Sequence, residues 1–473
     1  MSNFRYMTIS IIVSVVLFMA CGDSEEEVFP NPYEDVNDYL TELPSYPQRE
    51  GDPMKGKEYL LYGDYVDSGI PTDFFSATLG MMSEARNELE RNGPNANIPF
   101  PFTQVIAPNG VEVVAPNCMQ CHGGYVDGAF VFGVGNVEFD NTMDQGLVSP
   151  FLNSIVSNAY GSDSDEYEAF FPFYQAIRAT TGQLVTEVVG VNLADKLAVV
   201  LAAHRDKDDL TWIEEPTYEI PDEVIPADVP AWWLLKKKHA MFSTGIGRKD
   251  FARLMMASSI LTLQDSTKAR EVDNKFGDVL AFINTLEAPD YPGSIDEVKA
   301  ANGKEIFLET CAKCHGTYGD VENYPNYLVD NEILETDPYL AESNYAYDDF
   351  MNWYNDSWFS VEPFGAAVQP TSGYVAPPLD GVWATAPYLH NGSVPTLYDL
   401  MNSDVRPEYW RRSLEEKNYD HDKLGLSYTP ESIKKDRYTY DTTIKGYGNQ
   451  GHYFADHLND SQRSDLLEYL KTL

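Results

Sequence analysis

The chain has 473 residues, with 33 lysines and arginines against 74 aspartates and glutamates, so its formal net charge is −41. A chain this acidic repels nucleic acid and anionic lipid, which excludes both as binding partners. Its length is sufficient for two or more domains with their own hydrophobic cores.

The N-terminus has the pattern of an export signal. An apolar run over residues 7–19 follows Arg5 and is too short to span a bilayer, as is typical of a signal-peptide core. The residues leading to Cys21 are similar to a lipoprotein cleavage site, so we expect cleavage before Cys21 and lipidation of its thiol. We therefore expect a cell-envelope protein, lipid-anchored to the outer membrane and facing the periplasm or the cell surface. An ordinary signal peptide with a leftover thiol is the alternative.

Residues 22–50 predict an acidic flexible tether, because they contain three consecutive glutamates at 25–27 and four prolines. The predicted organisation is a signal peptide at 1–21, this tether, and two domains at 51–290 and 291–473.

Helical patterns, with apolar residues three and four positions apart, dominate the first of these domains. They cover residues 72–91, 192–204 and 251–263. Two long segments of the second domain, 318–376 and 406–447, are rich in Asp, Asn and Tyr and are predicted to be irregular surface loops.

Two Cys-x-x-Cys-His boxes carry the most specific chemical signal. They are Cys118-Met119-Gln120-Cys121-His122 and Cys311-Ala312-Lys313-Cys314-His315. Such a box is typical of c-type haem attachment, in which the two thiols bind the haem covalently and the histidine ligates the iron. A structural zinc site would need a further pair of ligands nearby, and a thioredoxin-like pair would not need the histidine. The boxes therefore predict two molecules of haem c.

An internal repeat surrounds the boxes. Gly110 and Gly303 each lie eight residues before the first cysteine of a box, and the apolar octets 279–286 and 466–473 share a helical spacing. Pro289 marks the boundary between the halves. We therefore expect a mainly α protein with two cytochrome c-like domains, each with one covalent haem c, and with long irregular loops.

The histidines outside the boxes are candidate second ligands to the irons. His452 lies in a glycine-flanked loop before the last helix, which suits a position beside a haem. His204 follows an apolar helix and His239 follows Lys236-Lys237-Lys238, and either can serve as the second ligand of the first iron. The alternatives are a surface loop for His452 and a charge at the helix C-terminus for His204.

Residues 376–397 resemble the signature of bacterial di-haem cytochrome c peroxidases and of the di-haem enzyme that matures the cofactor of methylamine dehydrogenase. The segment includes Pro387-Tyr388-Leu389-His390-Asn391-Gly392-Ser393. Within this family the resemblance is closest to the rubber oxygenase branch. That likeness includes the run from Ala231-Trp232-Trp233 to Lys238, the segment 247–256 and the ending from Gly451.

The resemblance implies roles for individual residues. His122 and His315 would be the proximal iron ligands, and His452 the distal ligand of the second haem. His390 would order the second haem pocket. Trp232 and Trp233 would relay electrons between the haems, with interface packing as the alternative. The resemblance also places Arg248 and Arg253 as candidate partners of the haem propionates, by charge pairing.

The functional hypothesis is a haem-dependent oxidoreductase of the peroxidase or oxygenase type. The reactive haem on His122 would meet peroxide or oxygen, and the other would exchange electrons with a redox partner protein. The rivals are a non-enzymatic electron carrier with both irons six-coordinate, and a surface binding lipoprotein with vestigial haems. The acidic loops are also suited to calcium, which prefers oxygen ligands.

Overall fold

The computed structural model describes residues 36–78, 87–415 and 417–473. The predicted signal peptide, Cys21 and the first part of the tether lie outside the described residues. Within the described ranges, no helix combines the length and apolarity needed to cross a membrane.

The fold is mixed, with 39% of the described residues in helices and 14% in strands. The α-helices are α1 (Pro53–Tyr62), α2 (Thr72–Ala77), α3 (Met119–His122), α4 (Ser149–Tyr160), α5 (Asp165–Ala179), α6 (Ala194–Ala203), α7 (Phe251–Met256), α8 (Ser266–Ile283), α9 (Glu297–Thr310), α10 (Ala312–His315), α11 (Asn331–Leu334), α12 (Tyr339–Ala346), α13 (Asp348–Asp356), α14 (Leu397–Leu400) and α15 (Asp460–Leu470).

The strands are short and form six small sheets in the part of the chain that the structure describes. They are β1 (Leu40–Glu42), β2 (Ile70–Pro71), β3 (Phe102–Ile106), β4 (Glu112–Pro116), β5 (Gly123–Val126), β6 (Ala129–Phe132), β7 (Gly247–Lys249), β8 (Tyr327–Asp330), β9 (Ala366–Val368), β10 (Gly373–Val375), β11 (Tyr409–Arg412), β12 (Tyr419–Asp420), β13 (Gly425–Leu426), β14 (Tyr428–Glu431) and β15 (Thr439–Asp441). The sheets are β1-β8-β10, β14-β11-β15, β12-β13, β2-β4-β3, β5-β6 and β7-β9.

The prediction of a mainly α protein built from two cytochrome c-like domains is wrong. The alternating burial along β3, where Thr103 and Val105 point inward, is the period of a half-buried strand. The segments predicted as irregular loops also contain structure, with α11, α12 and α13 in the first and the sheet β14-β11-β15 in the second. Strands this short escape a search for helical spacing.

Two crossed helix pairs organise the two halves. Helix α1 packs against α8, and α9 packs against α15. At each crossing a glycine allows the backbones to meet, since a Cβ on Gly56 would lie 1.9 Å from the Asp278 carbonyl oxygen and one on Gly303 would lie 2.0 Å from that of Asp465. The repeat is therefore anchored by Gly56 and Gly303, whereas Gly110 lies in the β3–β4 turn with φ 92°.

Side chains at the helix starts explain where several helices begin. Asp52 caps α1 and Asp296 caps α9, each accepting two backbone N–H groups. Asn459 and Gln462 form a reciprocal capping box at the start of α15.

The helices predicted in the first half agree with the structure to different degrees. The prediction at 192–204 is confirmed by α6, and that at 251–263 by α7 followed by a 3-10 turn at Ala257–Leu261. The prediction at 72–91 is confirmed for α2 and wrong at 87–91, where Asn87 and Glu90 have positive φ. Residues 79–86 lie outside the described chain.

The described end of the predicted tether packs onto the molecule. Strand β1 pairs antiparallel with β8 in the second half. Arg49 forms 2.8 Å ion pairs with Asp250 and Asp273. The chain is thus held against both halves before α1 begins.

Candidate functional site

Each box forms one helical turn. In the first, the backbone N–H of His122 donates to the Cys118 carbonyl at 3.0 Å, and in the second His315 donates to Cys311 at the same distance. Residues three and four positions apart in a helix share a face. The turn therefore presents both thiols and the imidazole of each box to the same side, as attachment of one flat cofactor requires.

The four box cysteines form no disulfide bonds. Burial raises the pKa of Cys118 to about 11 and that of Cys311 to about 12. A redox-active Cys-x-x-Cys pair needs a thiol with a lowered pKa, since the thiolate is the nucleophile. The electrostatics of the boxes therefore disfavour a thioredoxin-like role.

A cavity of about 390 Å³ adjoins the second box. Cys311, Cys314 and His315 form one side of it, and its remaining walls are largely apolar. The other lining residues include Ala231, Leu234, Phe307, Val382, Tyr388, Leu397, Leu400, Met401, Phe454 and Leu466. A concave, apolar space beside convergent ligands is the usual form of a cofactor site.

His315 and His452 face each other across this cavity, with ring centroids 6.2 Å apart. A bond from a metal to an imidazole nitrogen is about 2 Å long, and the ring centre lies about 1 Å further back, so two imidazoles on one metal have centroids roughly 6 Å apart. The observed spacing fits one iron between the two rings.

Hydrogen bonds position the ring of His315 and the backbone at His452. The Nδ1 of His315 lies 2.8 Å from the Pro377 carbonyl oxygen, which leaves Nε2 for a metal. His452 has φ 52° and its backbone N–H donates to Leu334. The preceding Gly451 carbonyl accepts from Arg406 at 2.7 Å. Burial lowers the pKa of His452 to about 3, so its ring is neutral.

His390 forms another part of the cavity wall. Its ring stacks on Tyr374 with centroids 3.9 Å apart, and its Nε2 is buried without a hydrogen-bond partner in the described structure. Asp228 and Lys238 also line the cavity, and burial lowers the pKa of Lys238 to about 8. Sequence reasoning missed Asp228, and it singled out the lysine cluster without finding that Lys238 is buried.

The first box is packed against a tryptophan. The ring of His122 stacks on Trp232 with centroids 4.5 Å apart, and burial lowers the pKa of His122 to about 3. The Nδ1 of His122 has no hydrogen-bond partner among the described residues. Asn192 donates to the Cys121 sulfur at 3.3 Å, a contact across 71 residues that no local pattern indicates.

A 3-10 helix at Trp232–Lys237 lies between the two boxes. Trp232 contacts His122, whereas Leu234 lines the cavity of the second box. Trp233 donates its indole N–H to the Asp380 carbonyl at 2.8 Å. The structure thus brings the predicted tryptophan pair to the connection between the two candidate sites.

The two predicted arginines differ in their surroundings. Arg253 is paired with Asp273 at 2.7 Å and lies over the ring of Trp358. Arg248 is 4% exposed, and its Nε and Nη1 have no hydrogen-bond partner in the described chain. Arg248 is therefore suited to an anionic cofactor group, whereas the charge of Arg253 is already matched.

The remaining histidines make other contacts. His204 stacks on Trp212 and its Nδ1 contacts the Ile213 carbonyl, while His239 contacts the Leu43 carbonyl at 2.9 Å. Within the described ranges, no group of three or more His, Cys, Asp or Glu side chains is arranged to hold a metal ion, so no calcium site is apparent there.

Residues 373–411 match the family model described as RoxA-like, cytochrome c-like. The matched segment includes His390 and much of the cavity wall beside the second box. The match supports a c-type cytochrome of the rubber oxygenase-like branch, and a domain of this kind implies haem c. The cavity and the facing imidazoles fit that cofactor.

Two uncharacterized proteins of Sinorhizobium fredii are similar to the chain. One, y4iM, is 28% identical over 295 residues, covering 54% of this chain and 66% of y4iM. The other, y4iJ, is 30% identical over 256 residues, covering 40% of this chain and 41% of y4iJ. The chain thus spans less than two thirds of either relative.

Proposed function

We propose that the protein is a haem-dependent oxidoreductase with one reactive haem and one electron-transfer haem. Residues 51–290 would hold the first through Cys118, Cys121 and His122, and residues 291–473 the second through the other box. Bound haem supplies an iron that exchanges electrons and, where a coordination position is open, meets peroxide or oxygen.

The observation that carries this proposal is the difference between the two box histidines. His315 faces His452 across a cavity at a spacing that fits bis-imidazole ligation. The ring stacked on His122 is Trp232, and the structure records no comparable histidine ring opposite His122 among the described residues. Two unequal sites support a division between reaction and electron storage.

The residues between the boxes are suited to electron transfer. Trp232 touches His122, and the same short helix places Leu234 on the second cavity. We propose Trp232 and Trp233 as the relay. We also propose that Arg248, His390 and Lys238 contact haem. Arg248 and Lys238 are cations and would pair with the haem propionates.

The setting of this activity is also a proposal. Residues 1–21 would direct export and Cys21 would carry the lipid, anchoring the protein to the outer membrane on its periplasmic or outer side. The physiological electron partner would be a redox protein. The mass of the mature N-terminus tests the lipid attachment.

Spectroscopy of the purified oxidised protein tests the two-site proposal. Absorption and EPR spectra should show one low-spin and one high-spin haem, and cyanide or peroxide should alter only the high-spin one. Two low-spin haems that respond to neither reagent would favour the electron-carrier rival.

Replacing His452, the proposed distal ligand of the second haem, tests the ligand assignment. His452→Ala should convert the second haem to high spin, because its iron loses a strong-field ligand. His457→Ala is the control, since His457 is close in sequence and does not line the cavity. A low-spin second haem in His452→Ala would refute the assignment.

A further inference from the structure

A hydrogen-bonded chain joins a tyrosine, a histidine and an aspartate away from both boxes. The Tyr291 hydroxyl lies 2.9 Å from Nδ1 of His421, and the Nε2 of the same ring lies 3.2 Å from Oδ2 of Asp127. The three residues come from separate parts of the chain. The fold therefore assembles this group from sequence-distant pieces.

Each member is held by a defined element. Asp127 is at the tip of the β5–β6 hairpin, which begins directly after His122, and has φ 50°. His421 lies in the turn between β12 and β13, and Tyr291 is in the segment joining the two halves. The chain of hydrogen bonds thus forms at the junction of the two halves.

The contacts select one tautomer of the imidazole. A carboxylate only accepts hydrogen bonds, so Nε2 of His421 carries the proton toward Asp127. In the neutral ring Nδ1 is then an acceptor, and it receives the phenol O–H of Tyr291. The donor–acceptor distance is within the range for proton transfer to a general base.

An aromatic contact connects Tyr291 with the second cavity. Its ring meets Trp383 edge-on, with centroids 5.4 Å apart. Trp383 is 4% exposed and belongs to the 3-10 helix Val382–Ala384, whose first residue lines the cavity of the second box. One indole therefore separates the phenol from the wall of the proposed electron-transfer site.

Tyr291 also reaches a surface cleft of about 530 Å³. Trp233, Lys236 and Lys471 line the same cleft. A small molecule in this cleft can contact the phenol without entering either haem cavity. The geometry thus connects solvent, Tyr291, Trp383 and the second site in sequence.

We infer that Tyr291 is a proton-coupled redox side chain that passes single electrons from a small hydroquinone-type reductant in the cleft to the second haem. This inference rests on the proposed function for the electron acceptor, a haem iron oxidised by peroxide or oxygen. The electron leaves Tyr291 through Trp383 as the phenol O–H bond breaks and its proton moves to Nδ1 of His421.

The reverse transfer restores the side chain. The reductant gives one electron to the tyrosyl radical, the proton returns from His421, and the reductant releases its own proton to solvent. Asp127 stabilises the imidazolium that forms in between, because the two charges are opposite and adjacent.

Tyr218 is a suitable control for Tyr291, because its hydroxyl has no basic side chain as its partner. Tyr218 donates to the Val199 carbonyl at 2.6 Å, and a backbone carbonyl cannot take up the proton. Oxidation of Tyr218 therefore has no proton acceptor, whereas Tyr291 has one in place.

The test is photochemical oxidation of the purified haem-loaded protein by a ruthenium polypyridyl complex and a sacrificial quencher, with EPR detection of the tyrosyl radical. The wild type and Tyr218→Phe should give the same tyrosyl signal, and Tyr291→Phe should give a several-fold weaker one. Tyr59 and Tyr125, which donate to Asp64 and Glu88, account for the remainder. The photo-oxidant replaces peroxide, so the result does not depend on whether the protein is a peroxidase.

His421→Gln separates the proton transfer from hydrogen bonding. Glutamine can hydrogen-bond to both neighbours but cannot accept the phenol proton, so we expect a several-fold lower radical yield and loss of the slower rate in D2O that the wild type shows. An unchanged signal in Tyr291→Phe, or an unchanged yield and isotope effect in His421→Gln, would overturn the inference and leave the proposed function intact.

Discussion

At the scale of single residues, Arg248 is a buried cation with unsatisfied hydrogen-bond donors. It is 4% exposed, and its Nε and Nη1 make no hydrogen bond in the described structure. Leaving part of a buried guanidinium unpaired costs about 3–5 kcal/mol, which a propionate would offset. Burial accordingly lowers the pKa of Arg248.

Arg248→Met tests this role. Under the proposed propionate contact, removing this positive charge disfavours the added electron, so the reduction potential of one haem should fall in a potentiometric titration. Arg253→Met is the control, because it breaks a pair with Asp273 and should cost about 3–5 kcal/mol of unfolding free energy without moving either potential. Unchanged potentials in Arg248→Met, together with higher stability, would contradict a propionate contact.

The local part of the candidate site could be predicted from the sequence. The boxes place their ligands within one helical turn, so spacing alone predicts that Cys118, Cys121 and His122 act together. The contacts of Asn192 with Cys121 and of Trp232 with His122 join residues about 70 and 110 positions apart. Such contacts depend on tertiary packing, which a single sequence does not encode as a local pattern.

At the scale of elements, the packing of α9 against α15 determines where the second box lies. Helix α9 runs directly into the second box through Cys311, which ends the helix. In the first half the equivalent helix, α1, is separated from the box by the sheet β2-β4-β3. The glycines at the crossings are therefore essential to both halves.

Gly56→Ala should destabilise the protein, because the new Cβ would lie 1.9 Å from the Asp278 carbonyl oxygen and force α1 away from α8. Overpacking of this kind costs about 1–3 kcal/mol or more. Gly277→Ala on α8 is the matched control, since its nearest neighbour is 3.5 Å away and alanine in a helix interior gains about 0.5–1 kcal/mol. Denaturant unfolding measures both, and equal stabilities would contradict a tight crossing.

The sequence contained the correct repeat, in Gly56-Lys57-Glu58 and Gly303-Lys304-Glu305. The sheet β2-β4-β3 lies between α1 and the first box in the chain, so Gly56 is much further from its box than Gly303 is, and this difference concealed the repeat. The spacing of Gly110 matched that of Gly303 by coincidence, and Gly110 is a turn residue. Closing helices α8 and α15 were predictable because amphipathic helices have a long, regular period.

At the scale of the whole molecule, the net charge of −41 is a property that no single site explains. Many basic groups are occupied in ion pairs, such as Lys237 with Asp380 and Lys268 with Asp64. The unmatched acidic groups therefore generate a negative field around the molecule, which attracts cations and repels anions within the screening length. The proposed redox partner should present a basic surface to this field.

Small reductants of opposite charge test this whole-molecule property. A cationic metal complex should reduce the haems faster than an anionic complex of similar driving force, because the field concentrates cations at the surface. Raising the ionic strength from about 0.01 M to about 0.15 M shortens the screening length from about 30 Å to about 8 Å, so the cationic rate should fall and the anionic rate should rise. Stopped-flow rate constants measure both reactions. Equal rates that do not respond to salt would mean that electrons enter where the local charge is balanced, as in the cleft lined by Lys236 and Lys471.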